Sequence, residues 1–265
     1  MDEQQAWQWL CSLAGRGPQG ARTAVRGPAE DDVTVRAEPG VRRLLDLYLP
    51  LCRDVPERFV VAHLGQSLDG RIAASNGASR WVTGPEDVAH NHRMRALFDA
   101  VLVGAGTVES DDPQLTVRAV PGRNPVRVVL DPRRRLAGHH RVFTDGAAPT
   151  LLLCDQAAGG ARIGRADVIG IAAADGCLAP RAVLDRLALL GLRRVFVEGG
   201  GITVSRFLAA GCLDRLQIAI APLIIGSGRP SITLPEISGL NAGLRPPTRC
   251  ITLGRDILVE CRLDG

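Results

Sequence analysis

Lysine is missing altogether: all 32 basic side chains among the 265 residues are arginine. That excludes Schiff-base chemistry on this chain. It also leaves phosphate recognition to guanidinium forks, which grip oxygens in pairs. Aromatic residues are only 3% of the chain, and the formal charge of +4 arises from arginines dispersed among 28 acids. A nucleic-acid surface wants a basic stripe interleaved with stacking rings, so nucleic acid is not an expected partner. The seven cysteines are odd in number, scattered, and never form Cys-x-x-Cys. Reduced thiols in the cytoplasm fit this better than a disulfide framework or a zinc knuckle. The most apolar run, Ile218 to Ile225, is too short to span a bilayer and contains Pro222. The acidic, polar start at Met1-Asp2-Glu3-Gln4-Gln5 is no signal peptide, so no membrane partner is expected. His90-x-His92 and His139-His140 lack carboxylate or cysteine partners at ligand spacing, so no metal is expected.

With 46% hydrophobic residues, the chain can bury a full core. Residues 1–57 differ from the rest and are taken as a partly helical extension to a main domain over 58–265. Trp7, Leu10, Cys11 and Ala14 recur at helical spacing. Gly15 to Gly27 is rich in Gly, Arg and Pro and predicts a loop. A second helix from Val41 to Leu49 should stop at Pro50. No Cys/His/Glu set of the kind a zinc deaminase needs occurs here, and the extension is expected to clamp the main domain or a dimer mate.

From Phe59 the pattern is strand, turn, helix, repeated. Strands are expected at Phe59–Leu64, Ala100–Gly104, Val126–Leu130, Thr150–Cys154, Val195–Val197 and Leu213–Ala221. Helices are expected at Pro85–Phe98 behind a Thr83-Gly84-Pro85-Glu86 capping box, at Arg181–Leu190, and at Ile202–Ala210. Arg249–Leu253 and Ile257–Leu263, joined by Gly254-Arg255-Asp256, predict a hairpin that makes the last strands antiparallel. The sum is an α/β fold with a mostly parallel sheet, whose ligands should lie at the carboxyl ends of the strands. Two strand-to-helix glycine turns sit at such ends: Gly104-Ala105-Gly106-Thr107 and Glu198-Gly199-Gly200-Gly201. Backbone N–H groups at helix starts hold phosphate oxygens, so a dinucleotide is expected, and nearby arginines with a serine imply a second phosphorylated ligand.

The ordered string Ser67-Leu68-Asp69-Gly70-Arg71, Trp81-Val82-Thr83-Gly84, Arg95, Gly104-Ala105-Gly106-Thr107-Val108, Asp111-Asp112-Pro113, Leu115-Thr116-Val117-Arg118 and Val197-Glu198-Gly199-Gly200 resembles the riboflavin-pathway pyrimidine reductase family. The resemblance spans roughly Phe59 to Leu263. It implies a dihydrofolate-reductase-like three-layer fold, in a stand-alone, dimeric form. It also implies NADPH-dependent reduction of the ribosyl side chain of a 5-amino-6-(5-phosphoribosylamino)uracil-type pyrimidine to a ribityl chain. By position it implies cofactor contacts at Gly65, Trp81, Thr83, Gly104, Gly106, Thr107, Asp111, Pro132, Arg133, Gly199, Gly200, Gly201, Ile202 and Thr203. Substrate contacts fall at Ser79, Arg95, Leu115, Arg118 and Glu198.

The reaction needs placement of the hydride acceptor and a positioned acid, for which His63 and Asp111 are the candidates, with Glu198 reading the pyrimidine N–H groups. Many relatives carry a lysine where this chain has His63, and a histidine holds no permanent charge at neutral pH. A satisfied core histidine is the plainer alternative. Arg133-Arg134-Arg135 is either solvated charge or a grip for the 2′-phosphate of NADPH. Two rival functions remain open: a related reductase acting on another pyrimidine or a pterin, and a nucleotide-binding module without turnover.

Overall fold

The computed structural model describes residues 1–16, 38–53 and 55–263, so most of the loop expected between Gly15 and Gly27 lies outside the described residues. The first half of the chain forms α1 (Glu3–Leu13), α2 (Pro39–Cys52), β1 (Phe59–Ser67), β2 (Arg71–Ala74), α3 (Pro85–Leu97), β3 (Ala100–Gly104), α4 (Ala105–Asp111) and β4 (Val126–Leu130). There follow α5 (Arg141–Thr144), β5 (Thr150–Asp155), β6 (Arg162–Ile163), β7 (Ala166–Ile171), β8 (Ala173–Ala174), β9 (Cys177–Leu178) and α6 (Pro180–Leu189). The last elements are β10 (Arg194–Glu198), α7 (Gly201–Ala209), β11 (Arg215–Ala221), β12 (Gly228–Pro230), β13 (Thr248–Leu253) and β14 (Asp256–Arg262).

Ten strands make one sheet in the order β13-β14-β11-β1-β10-β3-β4-β5-β7-β6. From β11 to β7 all neighbours are parallel, while β13, β14 and β6 join antiparallel at the two edges. The parallel strands are apolar in runs because both faces are covered. On one face Phe59, Val61, Val101, Val103 and Phe196 pack with α1, α2 and α3. On the other, Val60, Ala62, Leu64, Leu102 and Val197 pack with α6 and α7. The described part of the extension therefore shares its core with the sheet. Trp7 Nε1 donates to the Pro121 carbonyl at 2.7 Å, and Arg16 Nη2 donates to the Asn124 carbonyl at 2.9 Å.

Three local expectations are corrected. Helix α2 does not stop at Pro50 but runs on to Cys52. Proline has no N–H for the carbonyl four residues back, here that of Asp46, and Arg249 Nη1 donates to that carbonyl at 2.7 Å instead. The capping box at Thr83 is absent: Gly84 is the N-cap and its side-chain partner is foreign, the Asp256 carboxylate accepting from Gly84 N–H at 2.6 Å. Strand β1 runs three residues past Leu64 to Ser67, so Gly65 belongs to the strand and the turn begins at Leu68. The β6–β7 edge was not foreseen, because its strands are short or only partly buried and carry weak periodicity. The last hairpin forms where expected, but its turn is Gly254-Arg255 alone, since Asp256 pairs with Leu253 and begins β14.

Arg249 also donates to Glu260 Oε1 at 2.7 Å, and Glu260 is only 3% exposed. Arg249→Met should therefore leave a buried carboxylate without its cation and destabilise the fold by about 3–4 kcal/mol, the lower half of the range for a broken buried pair because Arg249 is partly exposed. A urea midpoint equal to that of the parent would show that this pair carries nothing.

Candidate functional site

A cleft of about 1150 Å³ opens at the carboxyl ends of β1, β10, β3 and β4. It is lined by His63, Gly65, Ser79, Trp81, Thr83, Arg95, Gly104, Gly106, Thr107, Asp111, Arg118, Pro132, Arg133 and the run Glu198 to Thr203. Every expected site residue is among them except Leu115, which is 2% exposed and packs in the core with φ of +54°. Parallel strands bring these ends together because β1 lies between β11 and β10, with His63 directly beside Glu198.

The two glycine turns face each other. Gly199 and Gly200 have φ of +79° and +71°, a left-handed backbone that side chains resist, and they open helix α7 toward the cleft. A Cβ on Gly104 would stand 2.5 Å from Thr203 Oγ1, and one on Gly200 would stand 2.9 Å from Thr107 Oγ1. Each helix start thus plants a threonine against the other's glycine, and the amides of both face one space suited to phosphate oxygens. The arginine run divides. Arg134, at φ +48°, donates to the Gly159 carbonyl at 2.7 Å, whereas Arg133 and Arg135 line the cleft. Trp81 stands at the cleft wall, 76% exposed and at φ +65°.

The second half of the cleft is electropositive and tightly bonded. Arg95 Nε donates to Glu198 Oε2 at 2.7 Å, its Nη2 donates to Oε1, and its Nη1 donates to the Thr116 carbonyl at 2.8 Å. The guanidinium has five N–H groups, so two remain for a ligand. Arg118 donates through Nη1 to Thr116 Oγ1, and burial together with the neighbouring Arg95 lowers its affinity for its proton. Such crowding of cations favours an anion between them. Ser79 Oγ donates to Asp111 Oδ1 at 3.1 Å, tying an expected substrate contact to an expected cofactor contact.

Helix α3 supplies residues that the sequence reading did not assign to the cleft. His92 lines the cleft and its Nδ1 accepts from the Arg118 N–H at 3.0 Å. Burial, then the charges of Arg95 and Arg118, push His92 down to about 4, so it is a neutral ring at pH 7. Asp87, buried beside the cleft, stands 3.1 Å from His63 Nε2. That distance fits an ion pair, but the ring and carboxylate are not aligned as a hydrogen bond, and neither ring nitrogen of His63 has one. Burial alone would raise the Asp87 carboxyl; His63, with help from His90 and Thr83, outweighs it and brings Asp87 to about 2. The signal was present as a polar stripe, Asp87, Asn91 and Arg95, at four-residue spacing on one helix. Among the described residues no group of His, Cys, Asp and Glu could hold a metal, and no helix is long and apolar enough to cross a membrane.

The chain is similar in sequence and fold to known proteins. Residues 58–258 match the family model described as the RibD C-terminal domain. The 2,5-diamino-6-ribosylamino-4(3H)-pyrimidinone 5′-phosphate reductase of Methanothermobacter thermautotrophicus is 36% identical over 218 residues, 78% of this chain and 99% of that protein. The protein of the same name from Archaeoglobus fulgidus is 33% identical, over 78% of this chain and 91% of its own. The crystal structure of a Thermotoga maritima diaminohydroxyphosphoribosylaminopyrimidine deaminase/5-amino-6-(5-phosphoribosylamino)uracil reductase superposes with a TM-score of 0.67 at 30% identity, covering 84% of this chain and 61% of that one.

His90 and His92 are neutral in the fold, at about 4 each against 6.5 when free. The unfolded chain therefore binds more protons between those values, and stability present above pH 6.5 is lost as pH falls toward 4. For fully buried His90 the loss should approach about 3 kcal/mol, and His92→Asn should flatten part of the slope over the same window. A urea midpoint unchanged from pH 7 to pH 4 would overturn the neutral-ring assignment.

Proposed function

Because the chain belongs to the RibD C-terminal domain family, we propose that it is a pyrimidine reductase of riboflavin biosynthesis. It reduces the ribosyl side chain of a pyrimidine ribosylamine 5′-phosphate to the ribityl chain at the expense of NADPH. The observation that supports this best is the single cleft holding two differently built halves. One half has paired glycine helix starts, and the other has Arg95 and Arg118 beside Glu198. The relatives named above as 5′-phosphate reductases support the reading.

NADPH would supply the hydride. The residues that would hold it are Gly104, Gly106 and Thr107 with the Gly199–Thr203 turn around the pyrophosphate, Gly65, Trp81, Thr83 and Asp111 around the nicotinamide half, and Pro132 and Arg133 toward the 2′-phosphate. The fit rests on the amide-rich gap between the glycine turns and on Arg133 lining the cleft. In the other half Arg118 and the free N–H groups of Arg95 bind the substrate phosphate, with Ser79 as a neutral donor. Glu198, held in plane by Arg95, accepts from pyrimidine N–H groups. As the ribosylamine opens to its imine, His63 delivers a proton to the nitrogen while the imine carbon receives hydride. Asp111 is engaged by Ser79 at the wall and is the weaker candidate for the acid. Exposed Leu223, Ile224, Leu234, Ile237, Leu240 and Leu244 would be covered in a homodimer. The free cysteines suit the cytoplasm.

Mixing the protein with NADPH and the ribosylaminopyrimidine phosphate should consume nicotinamide absorbance; binding without turnover would favour a nucleotide-binding module, and turnover only with a pterin would favour the related reductase. Arg118→Ala is the cleaner phosphate test, since Arg95 also anchors Glu198. It should weaken substrate binding by about 1.5–3 kcal/mol and leave NADPH affinity unchanged; equal loss of both would assign Arg118 to the dinucleotide. His63→Gln should lower turnover by roughly 10²–10⁴, and near-normal turnover would move the acid role elsewhere.

A further inference from the structure

Behind His63 lies a run of buried polar side chains that ends on the amino-terminal extension. Gln217 Nε2 donates to Glu260 Oε2 at 2.7 Å, so the amide presents its oxygen to His90. His90 Nε2 stands 2.9 Å from that oxygen and must be the donor. A neutral ring then has a bare Nδ1, and Tyr48 Oη lies 2.9 Å from it. The phenol is therefore the donor, and burial, which pushes its own ionisation upward, keeps its proton in place. His90 and Gln217 are 0% exposed and Tyr48 is 1% exposed, so water cannot substitute for any of these bonds. The His90 ring lies 5.2 Å from the His63 ring.

Resting on the reading of His63 as proton donor, we infer that helix α2 of the extension is a working part of the reductase. Tyr48 locks His90 as a neutral ring tilted against His63, so His90 does not compete for the proton that His63, beside Asp87 at the cleft, delivers. Tyr48 and His90 are positioning residues; they reach no ligand themselves. The other charged groups around the pair are consistent with a single proton. Asp87 on α3 supplies the one close negative charge, 3.1 Å from His63. Arg93, also on α3, lies over the Tyr48 ring at 5.7 Å and opposes a second cation at His90. Glu260 on β14 reaches His90 only through the Gln217 amide. Glu198 on β10, beside His63 in the sheet, is occupied by Arg95. Asp256, from the last hairpin, is bonded to Gly84 N–H.

The test is ¹⁵N NMR of histidine-labelled protein together with turnover against pH. In the parent, His90 should carry hydrogen on Nε2 alone from pH 5 to 8. In Tyr48→Phe, Nδ1 loses its donor and His90 competes for the proton. Turnover near neutral pH should then fall about five- to twentyfold, with NADPH affinity unchanged, and the size of the deficit should change with pH. A merely structural role would lower turnover alike at every pH. Tyr48→Phe combined with His90→Gln removes the competitor and should recover turnover. If Tyr48→Phe does not fold, the parent spectrum decides: His90 protonated on Nδ1 at neutral pH overturns the inference. A folded Tyr48→Phe with full turnover at every pH also overturns it, while His63→Gln judges the proton-donor reading separately.

Discussion

Glu260 is the group to which the buried polar framework is tied. A carboxylate 3% exposed in the middle of β14 has to be satisfied, and it takes Arg249 on one oxygen and Gln217 on the other. Its acceptor-only character sets the direction of every bond that follows, through Gln217 and His90 to Tyr48. Arg249 closes the path by bonding the Asp46 carbonyl that Pro50 leaves without a partner. Helix α2 is thus joined to the sheet at both ends of one hydrogen-bonded circuit. Burial makes that circuit directional, since a misoriented donor there has no water to turn to.

The cleft divides its work by the kind of positive charge each half offers. Backbone amides at two interlocked helix starts give a diffuse, shape-fixed attraction that suits a pyrophosphate. Arg95 and Arg118 give formal charge with geometry, held in place by Thr116 and Glu198. His92, kept neutral by burial and then by those same arginines, braces the Arg118 backbone without adding to the repulsion. A neutral imidazole there is a consequence of the crowd around it and in turn makes the crowd tolerable.

Much of the fold was legible because parallel strands buried on both faces leave unbroken apolar runs, as Ala100–Gly104 and Val126–Leu130 do. The glycine turns were equally plain, since a left-handed backbone at Gly199 and Gly200 leaves few choices of residue. Where local rules failed, a distant side chain had taken over. Arg249 serves the helix across Pro50, and Asp256 caps the helix that Thr83 was expected to cap. Leu115 stands amid cleft residues in sequence, yet its side chain turns into the core.

The sequence by itself determined the alternation of strands and helices and the two glycine turns, because each depends on short-range periodicity or on a residue type few others can replace; the expected cleft residues followed from the family resemblance. Only the tertiary structure decided how those side chains are employed. It spends two of the five Arg95 donors on Glu198, brings Arg133 to the cleft while Arg134 turns to backbone carbonyls, and seats His63 between Asp87 and His90. Hydrogen-bond direction and proton position depend on what lies across the sheet, and no spacing along the chain encodes the partner that arrives from 42 or 127 residues away, as Tyr48 and Gln217 do at His90.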